Sequence, residues 1–165
     1  MIHLNRDIVK AKHGELSAAD FLRYITDEYL DAIGGSLTAD TMDNLSPDQH
    51  SLMCYRYVLD EVMEGGFIQL IINGYAPYVL EGPFPYTVKK EWGMKDFAKL
   101  LYSAKTEYHK NEELLSKDMD DDEFMALYEQ LDELNCLGDS FLDDHQEEVT
   151  PAVVDMIMNE IDKYV

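Results

Sequence analysis

Asp118, Asp120 and Asp122 alternate along one short stretch, and Glu129 stands at the twelfth position counted from Asp118. Carboxylates in that spacing are calcium chemistry, because an EF-hand loop wraps a hard cation with oxygen ligands at alternating positions and closes on a glutamate at the twelfth. The imitation fails at two places. The sixth position, where the loop turns sharply and wants glycine, is Glu123, and the ninth, Ala126, has no side-chain oxygen. Acidic residues also favour the first turn of a helix, where the backbone N–H groups point outward. Asp118 to Glu123 therefore read as a helix start, and no metal site is assigned.

Other catalytic signatures are missing from the chain. His3, His13, His50, His109 and His145 have no HExxH or comparable ligand spacing. No GxSxG, Walker A or GxGxxG element occurs, and neither Cys54 nor Cys136 has a basic neighbour in sequence that would activate a thiolate. The expectation is a protein with no catalytic residues and no cofactor. Two isolated cysteines without CxxC spacing suit free thiols in a reducing compartment. The first residues lack a basic head followed by an apolar stretch, and no apolar run approaches the roughly 20 residues of a membrane span. The localisation read from these features is cytoplasmic.

Charge is the strongest signal. The formal net charge is −21, and residues 111–165 hold 18 Asp or Glu against Lys117 and Lys163, a net of −16. Residues 61–110 balance six lysines against six acids. Such concentration makes a directional negative field that attracts basic surfaces and repels nucleic acid. The candidate partner-binding residues are Asp118, Asp120, Asp121, Asp122, Glu123, Glu129, Asp132, Glu133, Asp139, Asp143, Asp144, Glu147 and Glu148. In helices, Asp118/Asp122, Glu129/Glu133, Asp139/Asp143, Asp143/Glu147 and Asp144/Glu148 are like-charge neighbours, each costing a few tenths of a kcal/mol. Stability alone does not select this pattern. The alternative is a solvated face that aids solubility or adapts the chain to salt, and salt adaptation should acidify the whole surface, whereas the middle is neutral.

The elements that carry these residues are helices throughout. Asn5 caps a short helix with Ile8 and Val9 on its apolar side, stopped at Gly14. Ser17 starts a second, with Phe21, Leu22, Ile25 and Leu30 at helical spacing up to Gly34-Gly35. Ser46-Pro47-Asp48-Gln49 begins a third, with a serine cap, a proline at the first position and a glutamine three residues after the cap. Residues 74–93, broken by Gly74, Pro77, Gly82, Pro83, Pro85 and Gly93, read as a long connection or a pair of short turns. Helices follow at 95–108 and 120–131. A last one runs from Pro151 to Tyr164, capped by Thr150. The fold class is all-α, one compact domain over 1–165 with about six to eight helices.

The most specific local pattern is Glu61-Val-Met-Glu64-Gly65-Gly66-Phe67-Ile-Gln69, with Asn73 four residues on. A helix ends where two glycines make unusual backbone angles cheap, and Phe67 restarts the chain into the core. Gln69 and Asn73 share a face, from which their amides can bond backbone groups exposed by the break, with Glu61 joining them. This reads as a buried polar staple. At Glu61, Gly65-Gly66-Phe67, Gln69 and Asn73, followed by Trp92-Gly93 and the Ala98 to Leu101 and Ala104 helix, the sequence resembles the DNA-mimic protein family of small acidic bacterial proteins. The resemblance covers about residues 46–165 and leaves 1–45 as N-terminal helices packed on that part. It implies an all-helical fold and a partner that is itself a DNA-binding protein.

Two functions follow as expectations. The first is a non-catalytic acidic protein that occupies the DNA-binding surface of a basic bacterial regulator, binding neither nucleic acid nor membrane and leaving a homodimer open. The second is an immunity or antitoxin-like protein that neutralises a basic toxin or nuclease. In charge density the first is reasonable, since about 30 Å of B-DNA carries roughly 18 charges.

Overall fold

The computed structural model describes residues 1–165, which form helices and turns without a strand. Two compact units divide the chain. One comprises Met1–Arg56 with Glu148–Val165, and the other Tyr57–Glu147.

In the first unit, α1 (Arg6–Glu15) starts as its sequence dictates, with the Asn5 side chain accepting from the amides of Asp7 and Ile8 at 3.0 and 3.1 Å. Two details of the expectation need correcting. The helix runs one residue past Gly14, and Ile8 is 53% exposed, so Val9 alone of the pair is buried. In α2 (Ala18–Ala32) Ser17 accepts from the Asp20 amide, and Phe21, Leu22, Ile25 and Tyr29 line the buried face. The Tyr29 hydroxyl donates to the carbonyl of Tyr164 at 2.6 Å, tying this helix to the chain's last residues. Arg56 donates to Thr26 Oγ1, Asp27 Oδ1 and the Arg23 carbonyl, so its charge is satisfied against a single turn of α2.

Helix α3 (Pro47–Ile72) opens with a reciprocal cap: Gln49 N–H donates to Ser46 Oγ at 3.1 Å and Ser46 N–H to Gln49 Oε1 at 2.9 Å. It is interrupted where the sequence indicates, at Gly65 (φ −143°, ψ 18°) and Gly66 (φ 72°, ψ −174°). Thr150 and Pro151 do not start the last helix. Helix α10 begins at Gln146 and ends at Asn159, with Pro151 inside it. Val149 and Thr150 are 7% and 4% exposed, and the Thr150 hydroxyl is hydrogen-bonded to Tyr55 Oη at 2.5 Å rather than capping. Burial of this turn outweighs the local start signal.

The second unit contains the rest of α3, then α4 (Ala76–Val79), α5 (Phe84–Lys90), α6 (Lys95–Lys110), α7 (Glu112–Leu115), α8 (Asp121–Gln130) and α9 (Asp132–Ser140). The proline-rich stretch 74–93 is thus two short helices. Pro77 and Pro85 sit in their first turns, where a missing N–H is harmless. Phe84 meets Trp92 and Phe97 edge-on at 5.4 and 6.3 Å, and Phe97 meets Phe141 at 5.9 Å, which joins α5, α6 and the end of α9 through aromatic contacts. After α9 the chain makes a π-helical turn, Phe141–His145, with backbone angles that stay helical on both sides. Nothing in composition marks that turn. Cys54 is buried and Cys136 exposed, and neither is in a disulfide.

Candidate partner-binding surface

Asp120 shows what the acidic stretch does locally. Its Oδ1 accepts from the Glu123 amide at 2.8 Å, capping α8, while Asp121, Asp122 and Glu123 fill the first turn against the outward N–H groups. Asp118 precedes the helix, so Asp118 and Asp122 are not helical neighbours. Neither are Glu129 and Glu133. Leu131 (φ −112°, ψ 59°) separates α8 from α9, and Asn135 donates from its side chain to the Tyr128 carbonyl at that break.

All thirteen carboxylates named from the sequence are exposed, and none is in an ion pair. The cations that are ion-paired meet other acids: Arg6 meets Asp162, Lys12 Glu15, Arg23 Asp20, Arg56 Asp27, Lys110 Glu107 and Lys163 Glu160. Apart from the Asp120 cap, the only intramolecular hydrogen bond to these carboxylates is a long one from Ser140 Oγ to Asp144 Oδ2, at 3.5 Å. No ion pair within the molecule therefore offsets their charge.

The π-helical turn aligns part of this charge. A π turn adds one residue to the helical count without adding a turn, so positions beyond it are rotated back by about 100° relative to an unbroken α-helix. In an unbroken helix Glu147 would stand about 80° around the axis from Asp139, and the extra residue brings it within about 20°. Asp132, seven residues before Asp139, lies about 20° to the other side. On that geometry Asp132, Asp139 and Glu147, with Asp143 between the last two, fall on one side of the helix axis over about 20 Å. Glu148 is exposed in the first turn of α10 and belongs to the other unit.

The glycine break positions these helices. Gln69 Nε2 and Asn73 Nδ2 both donate to Glu61 Oε2, at 2.7 and 2.9 Å. The amides thus bond the carboxylate, so the staple bridges the break through Glu61 instead of through open backbone groups, and it is not buried: Glu61 and Gln69 are half-buried and Asn73 is exposed. A Cβ on Gly65 would lie 2.0 Å from Gln69 Oε1, so the glutamine occupies the space a side chain would need. Tyr128 of α8 donates its hydroxyl to the Gly65 carbonyl at 2.6 Å, and Gly138 of α9 packs so closely that a Cβ there would approach Gly66 Cα to 3.2 Å. The junction thus anchors both acidic helices. Sequence reading found the junction and the carboxylates but not Tyr128, Asn135 or Gly138, which have no motif of their own.

The profile of the DMP19-like protein family matches residues 43–164. The chain belongs to this family. It is also 38% identical over 78 residues to the DNA mimic protein DMP19 of Neisseria meningitidis serogroup B (strain ATCC BAA-335 / MC58), an alignment covering 45% of this chain and 47% of that protein. The chain thus spans about half the length of that curated relative. The matched region of the family includes both the glycine junction and every one of the thirteen carboxylates. No helix of this family member is long and apolar enough to cross a membrane.

Proposed function

We propose that this chain is a non-catalytic acidic binding protein that occupies the DNA-contacting surface of a basic bacterial regulator by presenting carboxylates where a duplex presents phosphates. One observation carries the reading: thirteen exposed carboxylates in the last third of the chain are in no ion pair, and every lysine or arginine that is ion-paired meets an acid outside that set. An acidic surface that served solubility alone would gain stability from interspersed lysines, and between Asp118 and Asp162 there are none. The relative's printed name, a DNA mimic protein, supports the same reading. Mimicry requires no catalytic group, only a field that steers and holds a basic surface. It also implies that the chain itself does not bind DNA.

The test replaces Asp139, Asp143, Asp144, Glu147 and Glu148 with Asn or Gln, keeping side-chain shape while removing negative charge. The partner is first recovered from the native host by pull-down and mass spectrometry. The expected result is unchanged or raised thermal stability with slower association and weaker affinity, since steering depends on complementary charge. Unchanged binding removes this stretch from the interface, and duplex binding by the wild-type chain removes mimicry altogether. Recovery of a basic nuclease or toxin in place of a regulator would instead favour the immunity-protein alternative.

A further inference from the structure

A cleft of about 410 Å³ lies alongside the π-helical turn, between α6 and the end of α9. Leu100 and Leu137 supply its apolar part, Ser103 lines one wall, and Asp96, Asp144 and the His145 ring stand around it. His145 packs on Phe97, with centroids 6.3 Å apart and planes at 42°, which fixes the ring against the core. The π turn delivers Asp144 and His145 to this cleft as consecutive residues, and π turns recur at functional sites.

The composition of this cleft is selective. An apolar floor with a carboxylate at its edge suits a long side chain that carries a charge at its tip, because the methylenes bury while the head stays polar. A phosphate or carboxylate ligand would face Asp96 and Asp144. Lys99 stands on the same rim, exposed and outside any ion pair, and its positive charge turns an incoming cation toward the Asp144 end. Asp139, Asp143 and Glu147, beside it, make the surrounding field strongly negative.

Resting on the mimicry reading, we propose that this cleft takes an arginine side chain of the basic partner. The guanidinium pairs with the Asp144 carboxylate and lies against the His145 ring, while its methylenes cover Leu100 and Leu137. Arginine is favoured over lysine because its planar fork matches a carboxylate in two bonds and stacks on rings, whereas an ammonium is a compact, strongly hydrated charge. The interface is then more than a diffuse negative field, having one shaped position that discriminates between the two cations.

The experiment measures binding of an oligoarginine peptide and an oligolysine peptide of equal length to the full chain at physiological salt. Wild type is expected to bind oligoarginine about tenfold more tightly, the scale of one charge-assisted bidentate contact. Ser103→Trp fills the cleft without changing charge, and Asp144→Asn removes the paired carboxylate while barely altering volume. Each should bring oligoarginine down to the oligolysine level with the melting temperature retained. Glu113→Gln, which removes a charge from α7 outside both the cleft and the thirteen carboxylates, should leave the preference intact. Equal binding of the two peptides by wild type, or a preference that survives in Asp144→Asn, overturns the cleft while leaving charge mimicry standing. Failure of wild type to bind either peptide overturns both.

Discussion

Tyr128 and Gly65 are joined by a 2.6 Å hydrogen bond, the phenol donating to a carbonyl freed by the glycine break in α3. That contact is the direct link between the most recognisable motif in the sequence and the first of the acidic helices. Tyr128→Phe removes the donor and keeps the ring, and the expected loss is about 0.5–1.5 kcal/mol in urea unfolding. An unchanged midpoint would mean that the junction does not hold α8.

The two glycines fail for different reasons when substituted. Gly65→Ala places a methyl group against Gln69, whereas Gly66, at φ 72°, is strained by any side chain. Gly65→Val and Gly66→Val should each destabilise by roughly 1–3 kcal/mol. Adding Gln69→Ala to Gly65→Ala should recover part of the loss, because it vacates the contested space, but should do nothing for Gly66→Val. Thermal melts of the single and double variants decide this, and rescue of Gly66→Val would contradict the backbone argument.

Calcium should leave the protein unaffected. Asp120 already caps α8, so its principal bond is to an amide and not to an ion. Asp120→Ala should cost about 0.5–2 kcal/mol as a lost helix cap, with or without calcium. Calorimetric detection of a one-to-one site that Asp118→Ala abolishes would restore the loop reading.

Alkaline pH should unfold the first unit through its buried phenols. Burial, reinforced by the nearby Tyr164 and Asp48, pushes the Tyr29 phenol well above its ordinary range, and burial also raises Tyr55 against the opposing hydrogen bond from Thr150. A raised phenol favours the neutral form in the folded state, so its contribution is complete below about pH 10, where unfolded tyrosine ionises, and is lost as pH rises above it. Tyr29→Phe should lower stability at neutral pH by the lost hydrogen bond to Tyr164, about 0.5–1.5 kcal/mol, and flatten the decline above pH 10. Urea titrations at pH 7 and pH 11 test both halves, and a slope equal to wild type would exclude Tyr29 as a contributor.

What the sequence revealed and what it hid follow from the range of the interactions. The Ser46/Gln49 cap, the Asn5 and Asp120 caps and the break at Gly65-Gly66 are made by residues within a turn of each other, so their types and spacing suffice. Exposure of the carboxylates was equally legible, since nothing between Asp118 and Asp162 could neutralise them. Thr150-Pro151 misled because a start signal is local, whereas the bond to Tyr55 comes from a residue far away in the chain. Tyr128 and Gly138 were hidden for the same reason. The π-helical turn was hidden more completely, because shifting a hydrogen bond by one residue leaves hydrophobic spacing almost unchanged.

Carboxylates without a paired cation do not stand bare in solution. The side of the helix that carries Asp132, Asp139, Asp143 and Glu147 gathers mobile sodium and potassium ions from the medium, as the phosphates of a duplex do. A basic protein that docks there sets those ions free, and their gain in translational freedom drives association even where the two surfaces fit loosely. Under the proposed function the attraction is then largely entropic in origin and fades as salt rises, so that binding and release of a basic partner would follow the ionic strength of the medium.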